Sequence, residues 1–366
     1  MTAHLHAIGT ATPAHATTQA AASDAAIATR DYAPSDARAL AAMYRRTGIR
    51  ARAATIHDER LGNGHPMGFM RRATDGLDRG PGTAERMRAY ELCAPDLAAD
   101  ASREALIASR LGAAEITHLV TVSCTGNTSP GIDHALVDAL GLSPAVARTH
   151  VGFMGCHGAI NGLRVARAFA ESDPDAAVLL ACVELCSLHY YYGDEADKQV
   201  ANALFADGAA SAVIRGGGAL TGVDVLDTAS LVIPGTREEM GWVVRDHGFE
   251  MTLSRRVPEI IERDAGAWVR KWLGSHGLAV EGVGSWAIHP GGPKILHAAQ
   301  RSLGLSDEAL APSRSVLEAH GNMSSPTVLF ILRNLIASGA PLPCVALAFG
   351  PGLVIEAALL GRTGAA

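Results

Sequence analysis

The sequence has no apolar run of about 18 residues, the length that a membrane-spanning helix needs, so no transmembrane segment is predicted. Residues 1–20 are rich in Ala and Thr and lack a basic stretch followed by an apolar core, which argues against a secretory signal peptide. Positive charge is short as well. Lys and Arg number 31 against 37 Asp and Glu, and the net charge of −6 disfavours nucleic acid as the main partner. No glycine-rich dinucleotide fingerprint or P-loop follows a strand-like segment, so neither nicotinamide nor ATP chemistry is implied. Charged residues make up only 19% of the 366 residues and hydrophobic ones 48%, a balance that excludes a disordered chain and allows a large core. That length suggests two domains or one large two-part fold.

Disulfide spacing is also lacking. The six cysteines, Cys93, Cys124, Cys156, Cys182, Cys186 and Cys344, are dispersed in mostly apolar, strand-like surroundings. This pattern predicts free thiols and a cytoplasmic location. Cys182, Cys186 and His189 have no second ligand pair at a standard spacing, so no metal is expected.

What is present is an alternation of helical and strand-like segments. Residues 97–111 read as a helix, 116–123 as a buried strand, and Pro130-Gly131 opens a helix to Leu140. Residues 176–184 read as a strand, and 201–214 as an apolar run turning at Asp207-Gly208. The cluster Gly216-Gly-Gly218 marks the expected boundary between halves at 1–217 and 218–366. In the second half, residues 220–226, 284–288 and 344–349 read as strands, and 258–276, 294–303 and 326–337 as helices. Such alternation predicts an α/β layered fold.

Cys156 lies in Val151-Gly-Phe-Met-Gly-Cys-His-Gly-Ala159, a glycine-flanked turn that runs into an amphipathic helix with Ala159, Ile160, Leu163, Ala166 and Phe169 on one face. Backbone N–H groups and the positive helix end would lower its pKa from about 8.5, making it a candidate nucleophile. A small buried packing cysteine is the alternative. His289 ends an apolar strand before Pro-Gly-Gly, and Asn322 sits in a loop before an apolar helix. Either could instead serve only a turn or cap. Together the three offer a thiol, an imidazole and a carboxamide, without a carboxylate. That set suits decarboxylation of a malonyl thioester. Neutral donors would stabilise the enolate oxygen, which a carboxylate would oppose. His289 could also raise the thiolate fraction of Cys156 by ion pairing.

Five ordered blocks carry a family resemblance: Gly152-Phe-Met-Gly-Cys156, Ala203-Leu-Phe-Ala-Asp-Gly-Ala-Ala210, Trp286-Ala-Ile-His-Pro-Gly-Gly-Pro293, Gly321-Asn-Met-Ser-Ser325 and Phe349-Gly-Pro-Gly-Leu353. The sequence resembles the type III polyketide synthases, the chalcone-synthase-like branch of the thiolase superfamily. The resemblance implies a five-layered αβαβα thiolase fold of two similar halves and a homodimer. It implies that Cys156 carries the acyl group, that His289 and Asn322 support decarboxylation and condensation, and that no cofactor is needed beyond CoA thioester substrates. Phe205 matches an aromatic gatekeeper, and Met251 stands where plant enzymes have a second one. Cys124, Cys186 and His189 replace plant threonines in the cavity, and Ser129 replaces a methionine that crosses the dimer interface. Ser324 and the Gly350-Pro351-Gly352 loop match cavity positions. Arg46 matches a basic CoA contact, whereas two neighbouring basic positions are Ala39 and Ala42.

The expected activity is therefore iterative decarboxylative condensation of malonyl-CoA onto an acyl-CoA starter, followed by cyclisation to a pyrone, resorcinol or related aromatic. Three alternatives remain open at this level. A single-condensation ketoacyl-carrier-protein synthase shares the Cys, His, Asn trio, although such enzymes carry His-Gln-Ala-Asn where this chain has His-Pro-Gly-Gly. A cysteine hydrolase also uses such a trio. A non-catalytic binding relative is the last.

Overall fold

The computed structural model describes residues 2–61, 69–217 and 222–362. Its strands are β1 (Ala3–Ala11), β2 (Ala16–Thr18), β3 (Ala51–Ala53), β4 (His118–Ser123), β5 (Ala147–Gly152), β6 (Ala177–Leu185), β7 (Asp207–Arg215), β8 (Val223–Val232), β9 (Met240–Arg245), β10 (Gly248–Leu253), β11 (Ser285–Ile288), β12 (Cys344–Gly350) and β13 (Val354–Gly361). Its helices are α1 (Gln19–Ala28), α2 (Pro34–Arg46), α3 (Thr83–Ser109), α4 (Ile132–Leu140), α5 (Gly158–Ser172), α6 (Ala196–Leu204), α7 (Val257–Ser275), α8 (Pro293–Leu303), α9 (Asp307–His320) and α10 (Pro326–Ala337).

Nine strands hydrogen-bond in the order β11-β12-β13-β8-β1-β7-β6-β4-β5. The two halves repeat one pattern. β1 lies antiparallel to β7, β7 antiparallel to β6, and β6 parallel to β4. In the same way β8 lies antiparallel to β13, β13 antiparallel to β12, and β12 parallel to β11. The halves join where Ala3–Leu5 of β1 pairs with Val223–Val225 of β8.

Strand alternation sorts the core into three clusters. In β6, Val178, Leu180 and Cys182 face a central cluster, and Leu179, Ala181 and Val183 face a cluster under α3. In β12, Ala346 and Ala348 face the same central cluster, and Val345, Leu347 and Phe349 face one under α7 and α8. Residues of α5 and α10 fill the centre. The layers therefore run α3, sheet, α5 with α10, sheet, α7 with α8: the αβαβα thiolase arrangement. Both sheet faces are covered, which is why the strands read as near-continuous apolar runs.

One local expectation fails. Asp207-Gly208 is not a turn; it begins β7, and the preceding apolar stretch belongs to α6. Asp207 is fully buried there because its carboxylate accepts from Thr55 N at 2.6 Å and Ser187 N at 2.7 Å and from the Ser187 hydroxyl. By contrast, the expected strand at 220–226 is described from Val223 onward as β8, and residues 218–221, beside the expected boundary at 217/218, lie outside the described residues.

Candidate active site

Residues at the C-terminal ends of the parallel strands supply the site, the usual crevice of an α/β sheet. Cys124 follows β4, Cys186 follows β6, His289 follows β11, and Gly350 ends β12. Cys156 occupies a tight helical turn, Gly155–His157, that leads directly into α5. Gly155 has φ of +67°, and a Cβ there would lie 2.5 Å from Cδ of Pro351. Glycine is therefore required both by conformation and by contact. A Cβ on Gly350 would lie 2.3 Å from the His157 ring, so the Gly350-Pro351 loop rests directly on the nucleophile turn.

Cys156 is buried at 8% exposure, with Asn322 and Ser324 close enough to hydrogen-bond its sulfur. Asn322 Oδ1 accepts from Ser324 N at 2.8 Å. Its carboxamide oxygen is thus committed, leaving the Nδ2 donors for the site. The backbone of Asn322 bonds Leu204 O at 2.9 Å and Ala206 N at 2.8 Å, which ties the Asn322 loop to both sides of Phe205. His289 is 1% exposed, and neither ring nitrogen has a hydrogen-bond partner.

Burial sets the protonation states. It pushes the Cys156 thiol up to about 11, with Ser324 and Asn322 opposing and Glu184 adding to the rise. Burial, then the neighbouring His157, pushes His289 down to about 3. The helix end therefore does not lower the thiol pKa as the sequence suggested: desolvation outweighs it. Burial thus favours the neutral form of each group.

Two cavities meet at the site. A chamber of about 30 Å³ is lined by Cys156, Cys124, Ser324, Pro351, Met240 and the four residues of its rim, Cys186, Phe205, Trp242 and Met251, among others. The same four line a second cavity of about 600 Å³ that extends to α1 and α2. Most of the expected cavity residues thus converge. His189 does not line the chamber. It lines the larger cavity, stacked on Phe249 at 4.3 Å, with Nε2 2.6 Å from Thr125 O and Nδ1 accepting from Phe249 N at 2.9 Å. Arg46 is exposed at the end of α2 and lines neither cavity. Gly350 and Gly352 shape the loop, but only Pro351 reaches the chamber.

Three neighbours escaped the sequence reading. Glu184 is fully buried and accepts from Cys124 N at 3.0 Å, Thr125 Oγ1 at 2.8 Å and Ser325 Oγ at 2.7 Å. A lone carboxylate in an otherwise apolar strand was the available signal. Trp242 donates from Nε1 to Cys124 O at 2.7 Å and walls the chamber. His157 is linked by Nδ1 to Asn161 Oδ1 at 2.6 Å, and Asn161 Nδ2 donates to Glu356 Oε1 at 3.0 Å. Among the described residues, no three His, Cys, Asp or Glu side chains are placed to hold a metal ion.

A thiol within hydrogen-bond reach of a carboxamide, and an unpartnered buried imidazole beside the neighbouring His157, on a thiolase fold, fit a thiol-dependent acyl-transfer site. The models for the N- and C-terminal domains of chalcone and stilbene synthases match residues 1–219 and 225–363, so the chain belongs to that family. It is 36% identical over 306 residues to the alpha-pyrone synthesis polyketide synthase-like Pks18 of Mycobacterium tuberculosis, covering 79% of this chain and 78% of the relative. It is 37% identical over 271 residues to a 1,3,6,8-tetrahydroxynaphthalene synthase of Streptomyces peucetius, covering 72% of each. The crystal structure of PKS-I from the brown alga Ectocarpus siliculosus superposes with a TM-score of 0.91 at 30% identity, covering 99% of this chain and 98% of that one. The protein is a type III polyketide synthase, an acyltransferase of a class that uses acyl-CoA and malonyl-CoA. No helix among the described residues is long and apolar enough to cross a membrane.

Proposed function

We propose that Cys156 takes an acyl group from a CoA starter and that His289 and Asn322 support its repeated extension with malonyl-CoA, before cyclisation to a pyrone, resorcinol or related aromatic. In loading, the Cys156 sulfur attacks the thioester carbonyl and the CoA thiol leaves. His289 accepts the thiol proton and passes it to the departing sulfur. Malonyl-CoA then loses CO2, and the electron pair of the broken C–C bond forms an enolate. Neutral N–H groups of His289 and Asn322 hydrogen-bond the enolate oxygen. Its carbon attacks the Cys156 thioester, the new C–C bond forms as the C–S bond breaks, and Cys156 leaves as the thiolate, which regains a proton from solvent water. No cofactor enters these steps.

One observation carries this reading. The His289 ring, beside the residue that follows Cys156, has two buried nitrogens with no protein partner, and Asn322, within reach of the Cys156 sulfur, has its oxygen committed, so both hold donors that a substrate on the sulfur could use. Leaving such groups unpaired is costly unless a substrate completes them.

A homodimer formed through β5 is part of the proposal. β5 is the terminal strand of the sheet, and Phe153 and Met154 beside it are 43% and 42% exposed. Six free, buried cysteines support a reducing cytoplasmic setting. The two-half division at 217/218 would then place Cys156 on one half and His289 with Asn322 on the other.

The test is incubation with malonyl-CoA and starters from acetyl- to palmitoyl-CoA plus one aromatic, read by mass spectrometry beside Cys156→Ala. Products carrying two or more added acetate units, absent with the variant, are expected. Single-condensation products, free acids alone, or sustained synthesis by Cys156→Ala would overturn it.

A further inference from the structure

The larger cavity has a polar end that the condensation steps leave unused. Tyr44 and Tyr190 both line it, both phenol oxygens are shielded from solvent, and neither makes a well-formed hydrogen bond, although Arg52 and Tyr190 lie near the Tyr44 hydroxyl and Thr29 near that of Tyr190. Tyr44 is 1% exposed. Gln19 Oε1, Ser23 Oγ and Gln199 Oε1 are likewise buried without a partner, and they belong to α1 and α6, which wall the same cavity. Of eight such atoms among the described residues, two line this cavity, three lie on helices that contribute to its wall, and two of the other three are the nitrogens of His289. Buried polar groups are nearly always satisfied, so an accumulation at one cavity needs an explanation.

Arg52 supplies the charge. It lines the cavity at 8% exposure, its guanidinium 5.5 Å from the Tyr44 ring centre. Its hydrogen bonds run from Nη1 alone, to Asn202 O at 2.7 Å and Phe205 O at 2.5 Å, and no carboxylate lies within ion-pair distance among the described residues. The acids on the cavity wall are otherwise engaged or at its mouth. Asp58 pairs with Arg60, Glu250 with Lys198, and Glu59 is exposed. A buried guanidinium without a counter-ion is a natural carboxylate receptor, because its planar fork matches the two oxygens. Ala22, Ala25, Ala26, Ile56 and Met70 line the same cavity and give it an apolar wall suited to methylenes.

The rim connects the two cavities. A chamber of about 30 Å³ cannot enclose more than a small acyl group, and the cavity beyond Cys186, Phe205, Trp242 and Met251 offers about 600 Å³. We infer that this larger cavity receives an acyl chain whose far end carries a carboxylate, held by the Arg52 guanidinium and the hydroxyls of Tyr44 and Tyr190. The favoured starter is then the CoA thioester of a dicarboxylic acid. Arg46, exposed two residues beyond Tyr44 on α2, is not part of this site. The inference rests on the acyl-loading role of Cys156, and its test separates the two.

First, Cys156→Ala protein is titrated calorimetrically with saturated α,ω-dicarboxylates of six to twelve carbons and with monocarboxylates of equal carbon number. At the best length the dicarboxylate should bind about tenfold tighter or more. Adding Tyr44→Phe and Tyr190→Phe should bring that ratio close to one. Equal affinities in the parent, or a ratio that survives removal of the hydroxyls, overturn the proposal. Tyr190→Phe alone serves if the double variant does not fold. Second, wild-type enzyme is assayed with the two matched CoA starters and malonyl-CoA, and a similar preference in kcat/KM is expected. Equal condensation of both starters would sink the carboxylate site and leave the synthase intact. Tight dicarboxylate binding without any condensation would sink the synthase reading and leave the site intact.

Discussion

Lowering the pH from 7.5 to 5.0 should weaken the fold, with His189 responsible for about 2 kcal/mol of the loss. The backbone dictates its protonation state. Thr125 O can only accept, so Nε2 carries the hydrogen; Phe249 N can only donate, so Nδ1 must present a lone pair. A second proton would face the Phe249 N–H. Burial therefore holds the folded-state pKa at about 3, against an ordinary value of 6.5. The folded pKa is depressed, so the neutral form is favoured on folding. The stabilisation is complete above 6.5 and is lost as pH falls from there toward 3, because the unfolded chain takes up a proton that the folded chain refuses. Integrated to pH 5.0, this is about 2 kcal/mol. His289 adds a loss of the same sign. Glu184 and Asp207 act oppositely, since burial raises both and protonation relieves them. The wild-type slope alone is therefore mixed, and the diagnostic quantity is the difference from His189→Gln. Urea unfolding at several pH values should show a loss about 2 kcal/mol smaller in the variant. Equal losses in the two proteins would refute the reasoning.

Glu184→Gln should cost about 1–3 kcal/mol, because an amide nitrogen would face donors that now meet a carboxylate oxygen; an unchanged thermal midpoint would count against it. Gly155→Ala should cost about 1–2 kcal/mol of left-handed backbone strain and displace the Cys156 turn against Pro351. Intact-protein mass spectrometry should then show little acyl loading, and full loading would contradict the proposed contact. Met251→Phe should narrow the rim between the cavities and shift products toward shorter starters, and an unchanged profile would remove Met251 from the gate.

The layered class was legible because covered sheets leave a plain signature. β6 and β12 are apolar on both faces, and the sequence segments at 176–184 and 344–349 fall within a residue or two of them. α7, α8 and α10 were legible for the same reason, each having an apolar stripe and, at its first turn, a proline. α1 was not. Its buried residues are Gln19, Ser23 and Ala26, so polar groups face inward where periodicity looks for apolar ones. The hairpin of β9 and β10 was also missed, since its role comes from Trp242 and Phe249 meeting His189 across the fold. Phe205 and Ser324 came from the ordered sequence blocks and Cys124, Cys186 and Met251 from the family resemblance that those blocks carry, and all five line the chamber beside Cys156. Arg52 and Tyr44 were invisible by that route, because what distinguishes them is a partner that the folded chain does not supply.

The sequence argument made much of a trio without a carboxylate, yet Glu184 is near enough to raise the Cys156 pKa. The two facts are compatible because of what surrounds Glu184. Its oxygens are taken up by Cys124 N, Thr125 Oγ1 and Ser325 Oγ, so it has no free lone pair directed at the sulfur or at a developing enolate. Burial also raises its own pKa, which favours the neutral acid. Its structural effect is to fasten the ends of β4 and β6 to the residue before α10, and so to fix Cys124 and Ser324 around the thiol. In the proposed condensation the negative charge is then met by neutral donors, with the Glu184 carboxylate already hydrogen-bonded. In the proposed loading step the proton of Cys156 goes to His289, whose ring nitrogens have no protein partner, so His289→Ala is expected to lower acyl loading more than it lowers stability.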